Sequence, residues 1–136
     1  MSTYVTFDKS LRVLCAEDNP NLRKVLVNII KKIGYTDVVE AEDGVQAWEI
    51  IEQGGVGLLL TDWSMPRMNG MELLQKIRRG KGKIAKLPIL MITAADTKTS
   101  IVDAAEAGVD AYIIKPFSVG TIQEKIEEAL AKRSQS

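Results

Sequence analysis

The chain has 136 residues, enough for one domain with a core of its own. Eighteen basic residues offset eighteen acidic ones, which excludes a bulk attraction to nucleic acid or to an anionic membrane. With no histidine and one cysteine, the chain excludes a disulfide framework and offers a poor ligand set for zinc.

Residues 1–10 carry neither the cationic start nor the apolar stretch of a secretory signal, and no apolar run nears the length of a membrane span. A cytoplasmic protein is therefore expected. Leu11-Arg12-Val13-Leu14-Cys15-Ala16 reads as a first strand that buries Cys15 as an inert thiol, and it ends on Glu17-Asp18-Asn19-Pro20. Either Asp18 or Asn19 can cap the following helix, with Pro20 in its first turn. Leu22, Val25, Leu26, Ile29, Ile30 and Ile33 recur at helical spacing until Gly34 stops the helix. Val38-Val39-Glu40-Ala41 is a second strand, Asp43-Gly44 a turn, and Val45, Ala47, Trp48, Ile50 and Ile51 line a helix that halts at Gly54-Gly55.

The third strand is the apolar run Leu58-Leu59-Leu60-Thr61, bounded by Gly57 and followed at once by Asp62, the pattern of a strand buried on both faces. Met65-Pro66 turns the chain, and a helix begins after Gly70 with Met71 and runs to about Arg79. The basic run Arg78-Arg79-Gly80-Lys81-Gly82-Lys83, with Lys86, has no interleaved aromatics and reads as a solvated loop. A fourth strand, Leu87 to Ile92, ends on Thr93-Ala94-Ala95, and a helix with Ile101, Ala104, Ala105 and Ala107 stops at Gly108. The fifth strand, Ala111-Tyr112-Ile113-Ile114, ends on Lys115-Pro116-Phe117, and a last helix runs from Val119 to about Lys132.

Alternation of strand and helix predicts an α/β fold with a doubly wound parallel sheet, all strands ending on one edge. That edge collects Glu17 and Asp18, then Asp62, Thr93 and Lys115. In a 2-1-3-4-5 strand order, the first and third strands would meet at the switch point where such sheets bind ligands, and the acids would crowd there. Like charges at close range stay ionised together only around a cation, and hard oxygen ligands favour Mg2+. A carboxylate beside a metal, an ammonium and a hydroxyl is the equipment of phosphoryl transfer.

These residues resemble a known family. Glu17-Asp18, Asp62-Trp63-Ser64-Met65-Pro66 with Gly70, Thr93-Ala94, and Tyr112 three residues before Lys115-Pro116-Phe117 together look like the receiver domain of two-component response regulators, nearest to stand-alone chemotaxis-type regulators. The resemblance spans about Leu11 to Lys132. It implies a flavodoxin-like (βα)5 fold and one domain with no DNA-binding output domain. It further implies that Asp62 accepts a phosphoryl group from a histidine kinase, and that Mg2+ is held by Asp18, Asp62 and the Ser64 backbone carbonyl, with Glu17 acting directly or through a water. Lys115, next to a cis proline bond, would pair with the phosphoryl oxygens. Thr93 and Tyr112 would move as a switch, read by a partner at Ile101, Tyr112, Val119 and Lys125. Glu17 stands where Asp is commoner, and the small Ser64 and Ala95 flank the position of an attacking water.

The output expected is protein contact by a monomer, with the flagellar motor switch or a relay partner as target and a phosphatase as a possible further partner. Two other readings use the same residues. A phosphorylation-independent interaction module of this fold would usually lack one of the acids, the Thr or the Lys. A metal-dependent phosphatase with an aspartyl nucleophile would carry Asp-x-Asp, where this chain has Asp62-Trp63-Ser64.

Overall fold

The computed structural model describes residues 7–94 and 98–134. Its elements run β1 (Arg12–Ala16), α1 (Pro20–Ile33), β2 (Asp37–Ala41), α2 (Gly44–Glu52), β3 (Val56–Asp62), α3 (Gly70–Arg78), a 3-10 turn (Ile84–Lys86), β4 (Ile89–Thr93), α4 (Lys98–Glu106), β5 (Ala111–Ile114) and α5 (Val119–Ser134). The strands form one parallel sheet in the order β2-β1-β3-β4-β5. This is the flavodoxin-like order expected from the resemblance.

Local chemistry explains the helix starts. The Asn19 side chain, and not that of Asp18, caps α1 by accepting from the N–H groups of Asn21 and Leu22 at 2.9 and 3.1 Å. Asp43 caps α2 through the Gln46 N–H. Asn69 and Glu72 form a reciprocal capping box on α3. Gly34 closes α1 with a φ of 126°, which a side chain would resist.

Strand side chains alternate between two cores. Val13, Cys15, Leu58, Leu60, Leu90, Ile92 and Ile113 face Leu26 and Ile30 of α1 and Ile122 and Ile126 of α5. Leu14, Leu59, Ile89 and Met91 face Ile51 of α2, Leu73, Leu74 and Ile77 of α3, and Ala104 of α4. A central strand covered on both sides is buried throughout its second half, Leu58 to Asp62, as its apolar run predicts.

Several boundaries differ from expectation: β1, β2 and β4 start at Arg12, Asp37 and Ile89, not at Leu11, Val38 and Leu87. β3 begins at Val56 and runs through Gly57, where the pairing with β1 slips in register; a Cβ on Gly57 would lie 3.0 Å from the Leu11 Cβ. Helix α5 continues to Ser134, and α3 ends at Arg78.

The basic run is only partly solvated. Arg78 is largely buried and donates to the carbonyls of Gly108, Ala85 and Leu87 at 2.9, 3.1 and 2.7 Å, and to Asp110 Oδ2 at 2.8 Å. Asp110 also accepts from the Ile89 N–H at 2.9 Å and from Arg133 Nε at 2.7 Å. This network lies where β4 and β5 begin. It ties α3, α5 and both strands together at the edge opposite the strand ends.

Candidate functional site

Asp62 is the last residue of β3, next to Ile92 of β4 in the register, and is 7% exposed. Its carboxylate is held from two sides: Oδ1 accepts from the Ser64 N–H at 3.2 Å, and Oδ2 accepts from Lys115 Nζ at 2.8 Å. Lys115 follows β5 directly and begins a cis peptide bond to Pro116. Its own N–H donates to the Thr93 carbonyl at 2.8 Å, so the chain leaving β5 stays tied to the end of β4.

Glu17, Asp18 and Asp62 each bring a carboxylate oxygen within 4.8 Å of the others. Asp18 is exposed and Glu17 is 1% exposed. Glu17 Oε2 accepts from the Asn19 N–H at 3.0 Å. Its Oε1 is buried without a hydrogen bond, with Lys115 Nζ standing 3.8 Å away. Burial first, and then the hydrogen-bonded Asp62 carboxylate beside it, push Glu17 up to about 8. An orphaned buried oxygen amid three carboxylates, with no histidine in the chain, fits a hard divalent cation such as Mg2+.

The loops around the acids have no slack. The Gly44 N–H donates to the Met68 carbonyl at 3.1 Å, and a Cβ on Gly44 would lie 2.1 Å from that oxygen. A Cβ on Gly70 would lie 2.2 Å from the Asp62 carbonyl oxygen. Between them, Arg67 adopts a φ of 67° and donates through Nε to Asp43 Oδ2 at 3.0 Å. A cleft of about 540 Å3, lined by Asp18, Trp63, Ser64, Met65, Pro66 and Asn69, opens beside the acid trio.

Thr93 is buried at the end of β4, beside the β3 end that carries Asp62. Tyr112 lies deeper in the sheet, opposite Met91, half-buried against the α2–α4 side. Ile101 is exposed on α4. Val119 begins α5 and is half-buried; Lys125, further along that helix, reaches Glu128 Oε2 at 3.4 Å. Ala95 falls outside the described residues. Sequence reasoning missed Arg23, whose guanidinium donates to the Glu17 carbonyl and to Glu40. Its signal was faint: a basic residue four positions after the cap, facing acids at the end of a strand 17 residues away.

Residues 13–127 match the response regulator receiver domain family. Over 125 residues the chain is 39% identical to a chemotaxis protein CheY homolog of Campylobacter jejuni, covering 91% of this chain and 95% of that protein. A CheY-like receiver domain protein of Methanospirillum hungatei JF-1 superposes with a TM-score of 0.82 at 28% identity, over 93% of this chain and 98% of that one. The receiver domain of a sensor histidine kinase from Pseudomonas aeruginosa PAO1, solved with a magnesium ion coordinated in its active-site cleft, gives a TM-score of 0.80 at 25% identity, over 90% and 98% of the two chains.

Proposed function

The chain belongs to the response regulator receiver family, and from that premise we propose that it is a signalling switch whose Asp62 takes a phosphoryl group from the phosphohistidine of a histidine kinase. In the transfer an Asp62 Oδ attacks phosphorus, the P–N bond to histidine breaks, and the imidazole leaves with its electron pair. The single observation that carries the reading is the placement of Asp62: nearly buried, at the end of β3, within the acid trio, with Lys115 Nζ at 2.8 Å.

Each residue has work to do in this reading. Glu17, Asp18, Asp62 and the Ser64 backbone carbonyl would hold Mg2+. The ion supplies positive charge to the phosphoryl oxygens when bound. Lys115 offsets the charge of Asp62 before transfer and that of the phosphoryl oxygens after it. The ends of β3 and β1 fix where Asp62 stands among the acids. Thr93 offers a hydroxyl at the neighbouring strand end, and Tyr112 lies on the same sheet toward α4. Their rearrangement on phosphorylation is read by a partner protein at Ile101, Tyr112, Val119 and Lys125. Similarity to a chemotaxis protein supports motor control as the output, by contact with the flagellar switch.

The test is intact-protein mass after incubation with Mg2+ and acetyl phosphate, beside an Asp62→Asn control. One added phosphoryl group, absent in the control and in chelator, is the expected result. A chain that binds Mg2+ yet stays unlabelled by both acetyl phosphate and a histidine kinase overturns the reading in favour of a phosphorylation-independent interaction module.

A further inference from the structure

We infer that Arg23 is a positioning residue for the acid cluster, a role that rests on the metal-assisted reading above and extends it to a side chain outside the site. Arg23 lies in the second turn of α1, its N–H bonded to the Asn19 carbonyl, and its side chain is 13% exposed. The guanidinium turns back over the start of its own helix. There Nη1 donates to the Glu17 carbonyl at 2.8 Å, Nε donates to Glu40 Oε1 at 3.0 Å, and Nη2 stands 4.0 Å from Glu42 Oε1.

The carbonyl it takes belongs to the peptide group that joins Glu17 to Asp18. That peptide sets the directions in which both acidic side chains leave the backbone. On its other side Glu17 is fixed by its N–H, which donates to the Ala41 carbonyl at 3.0 Å. Glu17 is thus fastened to the β2 side through both its backbone groups. Glu40 and Glu42 in turn hold the guanidinium in place. The guanidinium meets the backbone carbonyl and the carboxylate with two different nitrogens held in one rigid plane, whereas an ammonium must aim all three of its donors from a single nitrogen and fixes neither direction as firmly.

Two effects of Arg23 on a bound cation have opposite signs. Its charge repels a cation, so removing it would tighten Mg2+ binding if charge were all that mattered. Its hold on the Glu17–Asp18 peptide orients two ligands, so removing it weakens binding if positioning dominates. Outer residues that orient ligands are worth about 10- to 100-fold in metal affinity.

The experiment is calorimetric titration of the full chain with Mg2+ in wild type, Arg23→Met and Arg23→Lys, together with the rate of acetyl phosphate labelling at saturating Mg2+. The expected result is a Kd raised about 10-fold in both variants, with the labelling rate returning to that of wild type once Mg2+ saturates. A general loss of structure would not give that split between affinity and rate. A Kd unchanged or lowered overturns the inference, and Arg23→Lys decides alone should Arg23→Met fail to fold. If wild type itself takes no Mg2+, the proposed function falls and this role with it; if wild type binds and the variants match it, this role alone falls.

Discussion

Replacing Asp110 with alanine tests how far the fold depends on the ion network at the edge remote from the acids. The Asp110 side chain is 1% exposed and accepts three hydrogen bonds, from Arg78 Nη2, the Ile89 N–H and Arg133 Nε, at 2.7 to 2.9 Å. Its removal leaves Arg78 among three backbone carbonyls with no countercharge, and strips the Ile89 N–H of its partner. Breaking one member of a buried ion pair costs about 3–5 kcal/mol, because the stranded charge cannot recover its hydration. Arg133 is partly exposed and can turn to water, so the three bonds do not add. At about 3–5 °C per kcal/mol for a domain of this size, the melting point should fall by roughly 10–20 °C. Urea unfolding should show an earlier midpoint at an unaltered slope. Mg2+ affinity should not move, since the network lies at the opposite end of the strands. Arg78→Met combined with Asp110→Leu should be less harmful than the two single changes summed. A loss below about 1 kcal/mol on Asp110→Ala would refute the reasoning, by showing that water already reaches the cluster.

Four further outcomes are expected. Mg2+ affinity should climb as pH rises through about 8, because Glu17 holds a proton there that the cation must displace. Glu17 has a folded pKa above its ordinary 4.5, so between those values the unfolded chain binds fewer protons and the metal-free fold loses stability as pH rises; urea titrations across that range, with and without Mg2+, check both signs. Gly70→Ala should lower stability by roughly 1–3 kcal/mol and slow acetyl phosphate labelling, since its Cβ would meet the Asp62 carbonyl oxygen at 2.2 Å; a variant as stable and as quickly labelled as wild type would mean the loop yields freely. Cys15, whose thiol burial pushes up to about 12, should resist a disulfide reagent in the native state and react at once in urea; rapid native labelling would show that β1 opens.

Strand positions, helix starts and the acid cluster were legible because each rests on short-range signals: apolar runs, caps and the residue that follows a strand; the strand order came with the family resemblance. Asp62 needed only the buried run before it. The network of Arg78, Asp110 and Arg133 was not legible, since its partners lie 23 and 32 residues apart and Arg78 sits in what reads as a solvated basic stretch. Gly57 was taken as a boundary because glycine usually interrupts a strand; here the strand continues past it, but the β1 register slips at that point, from Arg12 opposite Val56 to Val13 opposite Leu58. Glu17 shows the limit of composition. Its type and place were plain, but the orphaned Oε1 follows from how deeply β1 ends beneath its neighbours.

The two ends of the parallel strands divide the molecule's susceptibility to mutation. At one end a charged clasp closes the fold without touching the acids; at the other, close-fitting loops hold the chemistry. In a library of single substitutions, changes near Asp110 should remove protein from the cell, while changes at the three acids should leave abundance intact and silence the signal. The axis of the sheet then becomes a ruler along which a variant's defect, in quantity or in quality, can be read from its position.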